Sequence, residues 1–356
     1  MSSAPSGIDP DPVSEWILMR RADLAVPLDF ELITGGASNL TFAVTDQSGQ
    51  RLVLRRPPTG HVLPRAHDMA REHRVISALR DTEVPVPETV GLCTDDSVNG
   101  ADFYVMEFVE GSIVFNEADG NAVDPALRPA MANSLTDTLA ALHKIDPASV
   151  GLGDLGRTED YCARQLRRWK RQVDDGSDRV VPLFDDLHQR LTRTVPPQQG
   201  AGIVHGDYRL DNTMVGPDGT VAAVLDWELC TLGDVLADVA SMAMWWGDDP
   251  RATGRLRDVP TKADGFGSRS EMLERYGQNS DRDISDLPWY VAFQHWRMSA
   301  ISEGVRVRYA AGAMGDQDGT ADSDTRASID SMLQIADEIL TSGQLYRPTD
   351  PATLTP

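Results

Sequence analysis

The chain predicts an α+β fold of two lobes: a small front lobe with a five-stranded antiparallel sheet and one helix, and a larger, mainly helical rear lobe. Three observations carry this. Five β-prone runs and one amphipathic helix are complete by Val109. From Pro125 onward, apolar residues recur every three or four positions, the helical period. Within that helical half, a short strand, a polar loop and a hairpin intervene between Ile203 and Asp226. The expected division is residues 1–109 and 110–356, with the Ser-, Pro-, Gly- and Asp-rich residues 1–12 as a mobile leader.

In chain order, a first helix is expected over Val13–Ala22. Phe30–Ile33 and Leu40–Val44 are β-prone and flank Thr34–Asn39, so Gly35 and Gly36 sit at a hairpin tip. That order excludes a Rossmann or Walker loop, which needs a strand before the glycines and a helix after them. A glycine tip of this kind is either an ordinary tight turn or a cover over a nucleotide. In the second case, its N–H groups and the Ser38 hydroxyl approach phosphate oxygens with no Cβ in the way.

Arg51–Arg55 alternates, so Leu52 and Leu54 share one face while Val53 and Arg55 share the other. His67–Arg80 reads as a helix on which Met69, Ile76 and Leu79 share a stripe with Glu72. A carboxylate inside that stripe requires a cation, and Arg55 is the candidate; at the stripe's edge, Glu72 would be solvated instead. Thr89–Cys93, a turn over Asp95–Gly100 and the strand Phe103–Val109 complete the front lobe. Helical patterns follow over Ala130–His143, Glu159–Val173, Val181–Thr194, Val235–Trp246, Ser270–Tyr276, Pro288–Ala311 and Thr325–Ser342, with a Gly- and Asp-rich loop between Val305 and Asp324.

The densest polar cluster is the run Ile203-Val204-His205-Gly206-Asp207-Tyr208-Arg209-Leu210-Asp211-Asn212. Thr213–Val215, the turn Gly216-Pro217-Asp218-Gly219 and Val221–Leu225 then form a hairpin. An antiparallel return sets the residues before its first strand beside those after its second, so Asn212 and Asp226 should be neighbours, with Asp207 close by. Hard oxygen ligands of this kind suit Mg²⁺, which completes its shell with water and phosphate.

At 356 residues, with 41% hydrophobic and 25% charged positions, the chain can bury a sizeable core. A formal net charge of −22 argues against nucleic-acid and anionic-membrane partners, which recruit basic surfaces. No apolar stretch reaches the length of a bilayer span and no signal-peptide pattern opens the chain, so a cytoplasmic location is expected. Cys93, Cys162 and Cys230 are far apart in sequence, which predicts reduced structural thiols. His143 and His295 read as structural, and nothing in the sequence specifies an oligomeric state.

Taken together, these features resemble the aminoglycoside phosphotransferase and choline-kinase-like branch of the protein-kinase fold. His205-Gly206-Asp207 with Asn212 is similar to that family's catalytic loop, Leu225-Asp226-Trp227-Glu228 to its metal site, and Gly233-Asp234 with Asp238 to the helix that follows. Arg55-Arg56-Pro57-Pro58, Gln165-Leu166-Arg167-Arg168-Trp169 and the Phe293–Gly304 helix look most like the kinase-like domains fused to acyl-CoA dehydrogenases and their free-standing bacterial relatives. The resemblance implies that Asp207 accepts the proton of an acceptor hydroxyl, and that Asn212 and Asp226 hold Mg²⁺ on ATP or GTP. It further implies that Gly35, Gly36, Ser38 and Asn39 cover the phosphates, and that Arg55, braced by Glu72, contacts them. Met106, Glu107 and Val109 would form the adenine-binding hinge, and Asp238 would brace the loop.

The family carries Lys where Arg55 stands. A planar guanidinium still binds phosphate, but differently, which keeps a nucleotide-binding pseudokinase with a regulatory or scaffold role as the alternative to a working enzyme. For the acceptor, the basic helix bearing Arg164, Arg167, Arg168, Lys170 and Arg171 would suit an anionic hydroxy compound such as a hydroxyacyl-CoA, while the acidic surface would suit a cationic aminoglycoside. Trp296, Arg297 and Glu303 are candidates for the acceptor cleft.

Overall fold

Short alternating runs that turn at Gly and Pro give the front half its antiparallel sheet. The computed structural model describes residues 5–33, 39–59, 67–310 and 319–346. There, α1 (Pro10–Leu18) precedes β1 (Asp29–Leu32), β2 (Leu40–Thr45), β3 (Arg51–Arg56), α2 (Met69–Leu79), β4 (Thr89–Cys93), the one-turn α3 (Asp96–Asn99) and β5 (Phe103–Glu107). The strand order is β1-β2-β3-β5-β4, antiparallel throughout.

Strand alternation sorts the side chains between two cores. Leu52, Leu54, Phe103 and Val105 cluster with Val13, Trp16 and Ile17 of α1, and the Trp16 ring meets Phe103 edge-on at 5.0 Å. Val53, Tyr104 and Met106 belong instead to the core of Met69, Val75, Ile76 and Leu79, which continues into the rear lobe. Arg55 lies on that inner face, as the alternation requires.

The rear lobe comprises α4 (Glu117–Ala122), α5 (Arg128–Lys144), α6 (Tyr161–Gly176), α7 (Pro182–Arg193), β6 (Gly202–Val204), β7 (Thr213–Val215), β8 (Val221–Val224), β9 (Thr231–Gly233), α8 (Leu236–Met244), α9 (Arg269–Gln278), α10 (Leu287–Ala310) and α11 (Gly319–Ser342). Pairs β6–β9 and β7–β8 are the two-stranded ribbons that carry the polar loop. Every residue of α8 is buried, so this helix, apolar nearly all round, is the central post of the lobe.

Four expectations need correction. Ile8 is buried and Arg56 donates to the Gly7 carbonyl, so the described part of the expected leader packs against the sheet, and α1 begins at Pro10 and ends at Leu18. Strand β5 stops at Glu107, two residues early, because its partners β3 and β4 end there. Helix α4 was not expected; it is too short for a periodic signal and is set by a capping box between Asn116 and Asp119. Helix α11 starts at Gly319, ahead of the expected Thr325, whereas α10 ends at Ala310, next to the expected Ala311. Among the described residues, no helix is long and apolar enough to cross a membrane.

Candidate active site

The loop after β6 is held from below. Asp238, in the first turn of α8 and fully buried, accepts the amides of His205 (2.6 Å) and Gly206 (2.9 Å), so its charge is satisfied by two backbone donors. His143, bonded to the Tyr276 hydroxyl at 2.8 Å, stands 3.6 Å behind it. Gly206 has φ +91°, and a Cβ there would sit 2.9 Å from the Leu229 carbonyl oxygen, so the turn admits only glycine without strain. Arg297 donates twice to the Gly206 carbonyl, at 3.1 and 3.2 Å. It therefore supports the loop rather than lining a cleft. Trp296 is buried and stacked on Phe184, and Glu303 lies in a buried ion cluster, so both belong to the core rather than to a cleft.

Asp207 emerges from this support with its side chain about a quarter exposed (24%). The 3-10 turn Leu210–Asn212 brings Asn212 back onto it: the Asn212 amide nitrogen donates to the Asp207 carbonyl (2.8 Å) and to its Oδ2 (2.9 Å). With the nitrogen committed, Asn212 Oδ1 is left for a ligand. The Leu225 amide donates to the Asn212 carbonyl at 2.9 Å, and β7–β8 pair Thr213 with Val224, so the hairpin sets Asn212 opposite Leu225, the residue before Asp226. Asp226 adopts a left-handed φ of 62°, a conformation a non-glycine residue takes only where the surroundings fix it.

The front lobe meets this site through Arg55. Its Nε is 3.4 Å from Glu72 and its Nη2 is 3.2 Å from Asp226. Glu72 is buried and also accepts from Asn39 (2.9 Å) and the Tyr104 hydroxyl (3.0 Å), so the carboxylate on the apolar stripe has its cation and two further donors. Burial raises its pKa, and Arg55 draws it partly back. Asn39 also hydrogen-bonds His67 at 2.7 Å and faces Glu228 at 3.5 Å. Gly35, Gly36 and Ser38 lie outside the described residues. Met106 is buried on β5; the Glu107 amide already donates to the Glu88 carbonyl at 2.8 Å, and its carboxylate pairs with Arg21. Val109, half-buried, follows the strand end.

Among the described residues, no group of three or more His, Cys, Asp or Glu side chains could hold a metal ion. Asp226 and Asn212 nevertheless fit Mg²⁺, which takes one or two protein oxygens and fills the rest of its octahedron with water and phosphate.

A recess lined by Phe115, Arg209, Asp211, Trp245, Arg255 and Asp258, among others, adjoins the loop; Asp207 does not line it but touches its wall residue Arg209 at 3.3 Å. Asp211 is almost fully buried, and burial raises its pKa against the pull of Arg209. Arg255 is mostly exposed, 3.6 Å from Asp211 and above the ring of Phe115. Sequence reasoning missed Arg209, Asp211, Trp245, Arg255 and Tyr104. Only Tyr104 carried a signal, its alternation with Met106 on the inner face of β5. Of the basic helix, Arg167, Arg168 and Arg171 are exposed, Lys170 pairs with Asp174 and Asp185, and none of these lines the recess.

The chain is similar to known proteins over most of its length. Acyl-CoA dehydrogenase family member 11 of Gallus gallus is 37% identical over 286 residues, covering 78% of this chain and 36% of that protein. Family member 10 of Mus musculus is 34% identical over 291 residues, covering 80% of this chain and 27% of that one. The chain thus spans well under half the length of these relatives. A solved structure from Ralstonia eutropha, assigned to the aminoglycoside phosphotransferases, is 32% identical with a TM-score of 0.80, covering 94% of this chain and 98% of that one. Amicoumacin kinase in complex with AMP-PNP and Ca²⁺ shares the fold, with a TM-score of 0.56 at 17% identity over 97% of this chain and 98% of that one. With the phosphotransferase enzyme family matching residues 29–270, the chain belongs to that family and is built on its two-lobed, kinase-like fold.

Proposed function

We propose that the protein transfers the γ-phosphoryl group of Mg·ATP to a hydroxyl of a small molecule in the cytoplasm. What supports this reading is the hydrogen bond of Asn212 to Asp207, the backbone bond that sets Leu225, the residue before Asp226, against Asn212, and the contact of Asp226 with Arg55 of the front lobe. Asp207 takes the acceptor's hydroxyl proton as the oxygen attacks phosphorus. Asn212 Oδ1 and Asp226 would hold Mg²⁺, which supplies charge neutralisation on the phosphates when bound. Arg55 steers the phosphates, and the Met106–Val109 segment receives the adenine. Because the Glu107 amide is engaged in the sheet, the Glu107 carbonyl and the Val109 amide are the hinge groups assigned to the base.

The recess adjoining the Asp207 loop is the acceptor site on this reading. Its exposed charges are Arg255 and Asp258, of opposite sign: Arg255 would receive the anionic group of an acceptor such as a hydroxyacyl-CoA, and Asp258 an ammonium of an aminoglycoside. The test is a phosphate-transfer screen over hydroxyacyl-CoA compounds, aminoglycosides and choline-like amines, with Mg·ATP binding followed by thermal shift. Asp207→Asn is expected to reduce transfer by roughly 10²- to 10⁴-fold while nucleotide still binds; undiminished turnover would sink the assigned role. A second reading, nucleotide binding without turnover, draws on the Arg55–Asp226 contact, which occupies one oxygen of a proposed metal ligand. Binding with no product across the whole screen would favour it.

A further inference from the structure

Among the described residues, both donors that reach the Asp207 carboxylate use the same oxygen. Asn212 Nδ2 lies 2.9 Å and Arg209 Nε 3.3 Å from Oδ2. The Arg209 guanidinium is itself pinned: its Nη1 is 2.8 Å from Oδ2 of Asp211, and its plane lies over Trp245 with the guanidinium carbon 4.6 Å from the ring centroid. Arg209 and Asp211 side chains are only 11% and 8% exposed, so the pair is shielded from solvent competition.

We propose that Arg209, anchored by Asp211, is a positioning residue that fixes the Asp207 carboxylate through Oδ2 and leaves Oδ1 as the atom that takes the acceptor's proton. This rests on the assignment of Asp207 as base. In the step so defined, the hydroxyl proton passes to Asp207 Oδ1 and the acceptor oxygen forms its bond to the γ-phosphorus. The bond from that phosphorus to the β–γ bridging oxygen breaks, its electron pair leaving on ADP. A base must sit within about 2.6–3.2 Å of the proton it takes, and a misplacement of about 1 Å costs on the order of 10²-fold in rate. One hydrogen bond from Asn212 leaves the carboxylate free to turn about its Cβ–Cγ bond; a second, from a rigid fork held at its far end, does not. The loop backbone has separate supports in Asp238 and Arg297, so the Arg209–Asp211 pair is not what holds the loop in place. A Lys could not reach both carboxylates with fixed geometry, because its ammonium is a single point on a flexible stem.

The test combines structure and kinetics on the full chain. Crystal structures of Arg209→Gln and Asp211→Asn with AMP-PNP bound are expected to show the Asp207 carboxylate turned from its wild-type orientation. With the acceptor found by the transfer screen, Arg209→Gln should lower kcat 10- to 100-fold with KM for ATP unchanged. Arg209→Lys should not restore it, and Asp211→Asn should add no further loss once Arg209 is already Gln. A role confined to folding would lower the melting temperature and leave kcat of the folded fraction intact. If Asp207 keeps its orientation in Arg209→Gln, or the two substitutions lose activity additively, the positioning role is overturned while an inactive Asp207→Asn still upholds the base. Turnover by Asp207→Asn would remove the base assignment itself. Asp211→Asn, nearly isosteric, decides the matter should Arg209→Gln fail to fold.

Discussion

Arg55 ties the two lobes together with one planar group. Its guanidinium touches buried Glu72 on α2 and Asp226 at the end of the β8 strand, two carboxylates that would otherwise repel across the site. Removing one partner of a buried pair typically costs about 3–5 kcal/mol, because the other charge stays buried alone. Arg55→Met is therefore expected to lose stability on that order in urea denaturation. The loss should depend on pH with a definite sign. Burial already raises the pKa of Glu72 above its ordinary 4.5, and without Arg55 it rises further. The native state then holds a proton that the unfolded state releases, so stability falls as pH rises through this range, and the variant's deficit is largest near neutrality and shrinks below about pH 4.5. A deficit that grew on acidification would contradict the pairing. Arg55→Lys keeps a cation but cannot make both contacts, so a smaller stability loss and weaker Mg·ATP binding by calorimetry are expected.

At the scale of elements, the long helix α10 is joined to its neighbours by a buried ion cluster. Glu303 on α10 meets Arg306 one turn on, at 2.8 Å, and Arg179 and Ser177 from the connection between α6 and α7, at 3.2 and 2.7 Å. Burial alone would raise its pKa, but Arg306, Ser177 and Arg179 bring it down to about 2. A fall from 4.5 to about 2 corresponds to about 3 kcal/mol of stability, fully present above pH 4.5 and lost as pH falls towards 2. Glu303→Gln should remove that part of the acid-unfolding profile, as circular dichroism from pH 7 to 2 would register; an unchanged profile would deny the cluster its role.

These partners also mark how far the sequence could be read. The β7–β8 hairpin was legible because Gly216-Pro217-Asp218-Gly219 is a turn with local chemistry, whereas its final register, with Asn212 opposite Leu225, also depends on a bulge between Met214 and Val215 that the turn does not announce. The pairing of Arg55 with Glu72 was legible because two periodicities, one of a strand and one of a helix, put both on the inner face. Glu303 and Arg297 were visible as polar residues on a helix, but whether they face a cleft or a core depends on α6 and α8 packing against α10, which no local pattern encodes. The recess adjoining the Asp207 loop was hidden for the same reason. Phe115, Arg209, Trp245 and Arg255 are separated by long stretches of chain and meet only through the stacking of helices and 3-10 turns. Replacing Arg255 by Ala is expected to raise KM for an anionic acceptor several-fold while leaving KM for ATP alone, and a shift in the ATP term instead would move Arg255 to the nucleotide side.

On the scale of the whole molecule, two lobes do not mean two independent folding units. The inner face of the sheet, with Val53, Tyr104 and Met106, shares one continuous core with α2 and with the rear-lobe residues Leu135, Leu139, Trp227 and Val239. A backbone bond crosses the same seam: the Val224 amide donates to the Pro85 carbonyl at 2.8 Å. Arg71 on α2 donates to the Cys230 carbonyl at 2.8 Å just after the Asp226 turn. Among the described residues, only the outer cluster beneath α1 is private to the front lobe. Opening the sheet's inner face therefore exposes rear-lobe core as well, and neither part is expected to unfold alone. Hydrogen exchange followed by mass spectrometry across a urea series provides the check. Peptides covering β3 and β5 should share the opening free energy and urea dependence of peptides covering α8, whereas α1 is free to open at lower urea. Were β3 and β5 to exchange through a separate, less stable opening, the shared core would not be coupling the lobes, and Arg55 would be bridging two bodies rather than sealing one.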